Sequence, residues 1–108
     1  MKLNAAILLF ILGILARSAV AGGDANIVTI RDYSFNPQEI TIKRGETVRW
    51  ENHEKRQYHS VWFEASGEEQ PDYFFPDESY ERTFMETGSF PYRCGPHEKM
   101  TGVVHVTE

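Results

Sequence analysis

Beyond residue 21 the chain holds no helical period of any length, and this limits its fold more than any other feature. What it holds is a series of short apolar segments split by turn residues. Ile27-Val28-Thr29-Ile30 is β-branched and apolar. Asp32 to Pro37 reads as a turn-rich link carrying two aromatics. Ile40 and Ile42 alternate with Thr41 and Lys43 ahead of Arg44-Gly45, and Val48 and Trp50 alternate with Thr47 and Arg49. His59 to Phe63, Tyr80 to Phe84, Ser89 to Cys94 and Gly102 to Val106 complete the series. About seven to eight short strands in one domain predict an all-β sandwich with Greek-key connections. The sequence shows no internal repeat and no second domain.

The N-terminus reads differently. Met1-Lys2-Leu3-Asn4 is a short basic opening, and Ala5 to Ala16 is apolar but far shorter than the roughly 20 residues a membrane helix needs. Ala19-Val20-Ala21 fits the small-x-small cleavage rule, so residues 1–21 are expected to be a cleaved signal peptide and 22–108 the mature domain. No cysteine follows the run, which excludes a lipoprotein anchor. The expected product is exported, soluble, periplasmic and free of a membrane anchor.

Removing Lys2 and Arg17 takes the formal net charge from −5 to −7, a surface that repels nucleic acid and anionic membranes. The acids concentrate between Glu64 and Glu86, where Arg82 is the one basic residue. That stretch is either a solvated face or a docking patch for a basic partner. A single cysteine forbids an internal disulfide, and a free thiol in an oxidising compartment is a liability unless something occupies it.

Cys94 sits in the block Ser89-Phe90-Pro91-Tyr92-Arg93-Cys94-Gly95-Pro96-His97-Glu98-Lys99-Met100-Thr101-Gly102. Phe90, Tyr92 and Cys94 share parity, so a strand points all three into a core. Gly95-Pro96 turns the chain, His97 lies in the turn, and Met100, Gly102, Val104 and Val106 share parity on the strand that Met100 opens. Thiolate, imidazole and thioether are soft or borderline donors. Two histidines and a cysteine with a weak axial methionine form the blue-copper electron-transfer set. The missing histidine must come from elsewhere, and His59 is the candidate, because His59, Val61 and Phe63 share a core-facing parity.

Phe-Pro-Tyr-x-Cys-x-Pro-His-x-x-Met-x-Gly, running on into Val-Val-x-Val, resembles the copper loop of the cupredoxins, the small blue-copper proteins of amicyanin and plastocyanin type. The two residues between His97 and Met100 match the amicyanin spacing. The block from Phe35-Asn36-Pro37 through Gly45, Thr47-Val48 and Trp50 to Asn52 is similar to the amino-terminal half of that family, in which a ligand histidine follows where His59 stands. The resemblance implies one type 1 copper ion held by His59, Cys94 and His97 with Met100 axial, and His97 as the exposed edge for electron transfer. It implies a monomeric, non-enzymatic carrier that shuttles single electrons between redox proteins such as a dehydrogenase or a cytochrome.

The alternatives are a copper carrier or buffer with no electron-transfer role, and a zinc site built from the same ligand types. The chain also departs from the family pattern. Tyr58 stands where proline usually precedes the histidine, Ser60 where asparagine often follows, and Glu98-Lys99 where amicyanin has proline and an aromatic. The spacer from Trp50 to His59 is longer and strongly polar. It includes His53, within reach of the metal end but with the ordinary reading of a solvated loop residue. His105 alternates with Val104 and Val106 and is expected at the surface.

Overall fold

The computed structural model describes residues 26–108; the expected signal peptide lies outside the described residues. Seven strands form two sheets. They are β1 (Ile27–Arg31), β2 (Ser34–Asn36), β3 (Glu39–Lys43), β4 (Thr47–Asn52), β5 (Ser79–Thr83), β6 (Gly88–Arg93) and β7 (Thr101–Thr107). One sheet has the order β2-β1-β4-β5, with β1 and β4 parallel; the other has the order β3-β7-β6, with β3 and β7 parallel. Strands adjacent in space are thus often distant in sequence, which ties both ends of the described chain into the sandwich. The only helix among the described residues is one 3-10 turn, Glu64–Ser66.

The alternation in the sequence is the alternation in burial. Val28 and Ile30 on β1, Ile40 and Ile42 on β3, Val48 and Trp50 on β4, and Val104 and Val106 on β7 all face inward. Trp50 is fully buried and donates its indole N–H to the Tyr92 hydroxyl at 3.1 Å. Gly102 is required where β7 passes this pair, because a Cβ there would collide with the Tyr92 ring and the Gln38 carbonyl.

Three expectations change. His59 to Phe63 forms no continuous strand: it makes isolated bridges, His59 to Phe74 and Trp62 to Arg93. Its core-facing parity survives, since His59, Val61 and Phe63 are all buried. Asp32 to Pro37 is more ordered than a link. Arg31 pairs with Ser34 across a two-residue turn, so Ser34–Asn36 becomes an edge strand. Asp32 and Tyr33 both take left-handed backbone angles, φ 54° and 58°, as a tight hairpin turn of the primed type demands. The methionine boundary moves by one residue, β7 beginning at Thr101 rather than Met100.

Candidate metal centre

β6 delivers Cys94 to one end of the sandwich, just past its last residue Arg93. The following loop closes on itself: the Met100 amide donates to the His97 carbonyl at 3.0 Å, and the Cys94 amide to the Met100 carbonyl at 2.9 Å. Arg93 secures the loop from outside. Its guanidinium donates to the Gly95 carbonyl at 2.8 Å and the Cys94 carbonyl at 3.2 Å, lies 4.9 Å from the Trp62 ring centroid, and pairs with Glu64. Ser60 fastens the two halves of the site together. It is fully buried, its hydroxyl accepts the Gly95 amide at 2.9 Å, and its own amide points at the Cys94 sulfur at 3.3 Å. The shorter side chain at this position therefore does bridge to the loop.

His59, Cys94 and His97 come together from the two distant segments, and they are the one such cluster of possible metal donors among the described residues. Nδ1 of His59 and Nδ1 of His97 each lie 3.5 Å from the Cys94 sulfur, and all three donor atoms fall within 4.8 Å of one another. Metal bonds to nitrogen and sulfur of about 2.0–2.3 Å allow donors on one ion to lie up to about 4.6 Å apart, so both nitrogen–sulfur separations suit a single ion. Cys94 and His59 are fully buried, His97 is half-buried, and Met100 is buried at the foot of the loop.

The tautomer of His59 follows from its other nitrogen, which lies 2.9 Å from a carboxylate oxygen of Glu54. A carboxylate has no proton to give, so Nε2–H donates and Nδ1 keeps its lone pair facing the sulfur. Glu54 does more than this. Its two oxygens also accept the Tyr33 amide at 2.8 Å and the Asp32 amide at 3.2 Å. Burial opposes the charge on Glu54 most, but these amides and the His59 ring outweigh it and hold the carboxyl below its ordinary range. The buried Asn52 shapes the spacer around it, accepting the Glu54 amide at 2.9 Å and donating to the carbonyls of Gln57 and Phe74.

The turn that Glu54 holds carries Tyr33, whose ring meets both histidines edge-on. The centroids are 4.8 Å apart to His97 and 5.7 Å to His59. Neither Glu54 nor Tyr33 stands out in the sequence. Glu54 is one charge in a polar run, and Tyr33 reads as an aromatic in a loop; only the two-residue hairpin brings the pair to the site.

Burial pushes the Cys94 thiol up from its ordinary range, against hydrogen bonds from Ser60 and His97. Burial also lowers His97, helped by the neighbouring His59. Such a pocket resists charge on these side chains and favours a bound cation that supplies the counter-charge.

The other histidines are engaged elsewhere. His53 accepts from Arg31 at 3.2 Å and donates to Glu51 at 3.1 Å, on the outer face of the first sheet. His105 spans Ser89 and Glu39 at 2.8 Å each, on the surface as its alternation predicts.

Residues 23–107 match the model of a family described as copper binding proteins, plastocyanin/azurin family. Amicyanin of Paracoccus versutus is 40% identical over 87 residues, 77% of this chain, which spans 65% of that relative's length. Amicyanin of Paracoccus denitrificans is 36% identical over 95 residues, covering 84% of this chain and 71% of that protein. The solved structure of Paracoccus versutus amicyanin superposes with a TM-score of 0.69 at 35% identity, covering 82% of this chain and 86% of that one. With two imidazole nitrogens gathered at one thiol sulfur, the chain belongs to the plastocyanin/azurin family of copper-binding proteins, and its cofactor is one type 1 copper ion.

Proposed function

We propose that the protein is an exported electron carrier in which His59, Cys94 and His97, with Met100 as the weak fourth ligand, hold the copper. The carrying observation is the cluster of two imidazole nitrogens around one buried thiol sulfur, drawn from two distant segments of the chain. Bound copper supplies one-electron chemistry, alternating between Cu(I) and Cu(II). The chain's own residues keep the site stiff. Ser60 and Arg93 fix the copper loop, Glu54 fixes the His59 ring, and Tyr33 braces both histidines. A stiff donor set suits electron transfer because little rearrangement accompanies a change of charge. His97, half-buried under Tyr33, is the edge through which the electron passes. No substrate bond is made or broken in this role, so it is not enzymatic.

Glu54 gives a test of this rigidity. Glu54→Ala should weaken copper binding by about 10–100-fold, as loss of a carboxylate behind a ligand histidine does. Competition against a chelator of known affinity measures it. Undiminished affinity would make Glu54 a support for the Asp32-Tyr33 turn alone.

The partners of such a carrier are redox proteins, a dehydrogenase or a cytochrome, and the carrier acts as a monomer. The stretch Glu64 to Glu86 is partly neutralised from within, since Glu64, Glu68 and Glu81 pair with Arg93, Arg82 and Arg49. Glu69, Asp72, Asp77, Glu78 and Glu86 remain exposed without an ion pair, and they suit a basic partner. Association with such a partner should slow steeply with salt, because exposed charges are screened within roughly 10 Å at 0.1 M. A rate indifferent to ionic strength would reduce these acids to solvation.

The site of action is the periplasm. A basic, apolar and small-residue segment at 1–21 supports export, and no helix among the described residues is long and apolar enough to cross a membrane. N-terminal sequencing of the exported protein should begin at Gly22. A product that begins at Met1 would overturn the cleavage.

A further inference from the structure

An electron carrier meets a donor and an acceptor, and the acidic stretch suits only a basic one. The arginines sort themselves in a way that indicates a second surface. Arg44, Arg49, Arg82 and Arg93 each pair with a glutamate. Among the described residues, the two arginines with no carboxylate within 4.0 Å are Arg31 and Arg56, and both line one open cavity of about 500 Å³. Lys55, also exposed and unpaired, lines it with them.

The facing groups from every neighbouring element are few. His53 is engaged on both ring nitrogens, with Arg31 at Nδ1 and Glu51 at Nε2. The carboxylate of Glu54 is turned inward onto the Asp32 and Tyr33 amides and His59. Asp32 is the one carboxylate left to face outward there. Three cations against one outward carboxylate make a positive basin on a chain whose formal net charge is −5.

Its position matters as much as its sign. The basin is built from the β1–β2 turn and the spacer before His59, the two segments that Glu54 ties together. The next residue of that turn is Tyr33, 47% exposed, with its ring against both histidines. Tyr33 and Lys99 line a second concavity together. The basin therefore adjoins, through Asp32, the residue that packs on both histidines.

The geometry points to Arg31, Lys55 and Arg56 as a docking surface for the carboxylate-rich face of a second redox protein. That protein would be oppositely charged to the partner of the acidic stretch, and it would be held beside Tyr33 at the copper end. Its redox character rests on the electron-carrier reading; the recognition of its charge does not.

The test uses the copper(I)-loaded protein and a deca-glutamate peptide as probe, followed by amide chemical shifts at low salt. The expected shifts centre on Arg31 to Tyr33 and on residues 53–57. Lys55→Glu/Arg56→Glu should weaken the binding at least tenfold. Both side chains are exposed and without ion pairs, so the visible band of the oxidised variant should be unchanged and will report an intact site. Shifts centred elsewhere, or equal affinity in the double variant, would overturn the surface. So would inorganic phosphate, if it gave the same shifts at matched negative charge, because the cavity would then be a small-anion site. Slow electron self-exchange in a protein that still binds the peptide would count against the carrier reading and leave the surface standing.

Discussion

Cys94→Ser should abolish the intense visible absorption of the Cu(II) protein. The colour of a type 1 site arises from charge transfer along a copper–thiolate bond, and a serine hydroxyl is a hard, weakly acidic donor that cannot supply it. The sulfur lies 3.5 Å from each histidine Nδ1 and receives the Ser60 amide at 3.3 Å, so it is the atom the other donors surround. Serine nearly preserves the volume of a fully buried side chain, so the fold should persist and the loss will be of the metal bond rather than of the structure. Titration with Cu(II) followed by optical absorption measures it. A variant that kept the band would remove Cys94 from the site.

Trp50→Ala should destabilise the metal-free protein by about 3–5 kcal/mol, the range for deleting a large aromatic from a packed core. Trp50 is fully buried and meets Tyr92, Tyr80 and Phe63 at centroid distances of 5.4, 5.8 and 6.3 Å. Its loss leaves a cavity and also strands the Tyr92 hydroxyl, whose burial already pushes its pKa up to about 12. Domains have only about 5–15 kcal/mol of stability to lose, so much of the variant would be unfolded at the lower end of that range. Tyr92 lies on β6, two residues before Cys94, so a loosened core should also loosen the loop. Urea unfolding measures the effect. A change under about 1 kcal/mol would show that the two sheets do not lean on this residue.

Much of this was legible because burial in a sandwich follows a period of two, and the chain keeps that period. Ile40 and Ile42, Val48 and Trp50, and Val104 and Val106 read correctly for this reason. The candidate donors stood out for a different reason. Cys94, His97 and Met100 share one short loop, and donor chemistry this unusual in a tight space has few other uses. His59 had only its parity and a family resemblance to mark it, and its buried place near the sulfur bears out the parity.

What stayed hidden depends on contacts between distant segments. Glu54 looks like its neighbours until the hairpin turn at Asp32-Tyr33 is seen to offer it two amides. The segment His59 to Phe63 has the composition of a strand, yet its pairing is reduced to single bridges with Phe74 and Arg93. Composition shows that such a segment can be extended, and only tertiary structure decides how far a neighbour runs beside it. The acidic stretch likewise looked uniform, because the arginines that neutralise part of it, Arg49 and Arg93, lie outside it in the sequence.

The most direct measurement is the optical and paramagnetic resonance spectrum of the purified protein after one equivalent of Cu(II). The account predicts an intense visible thiolate-to-copper band and a Cu(II) resonance signal, both saturating at one ion per chain and both lost on reduction. A protein that took up Cu(II) with only weak visible absorption, or that bound zinc and left Cu(II) free in solution, would contradict it.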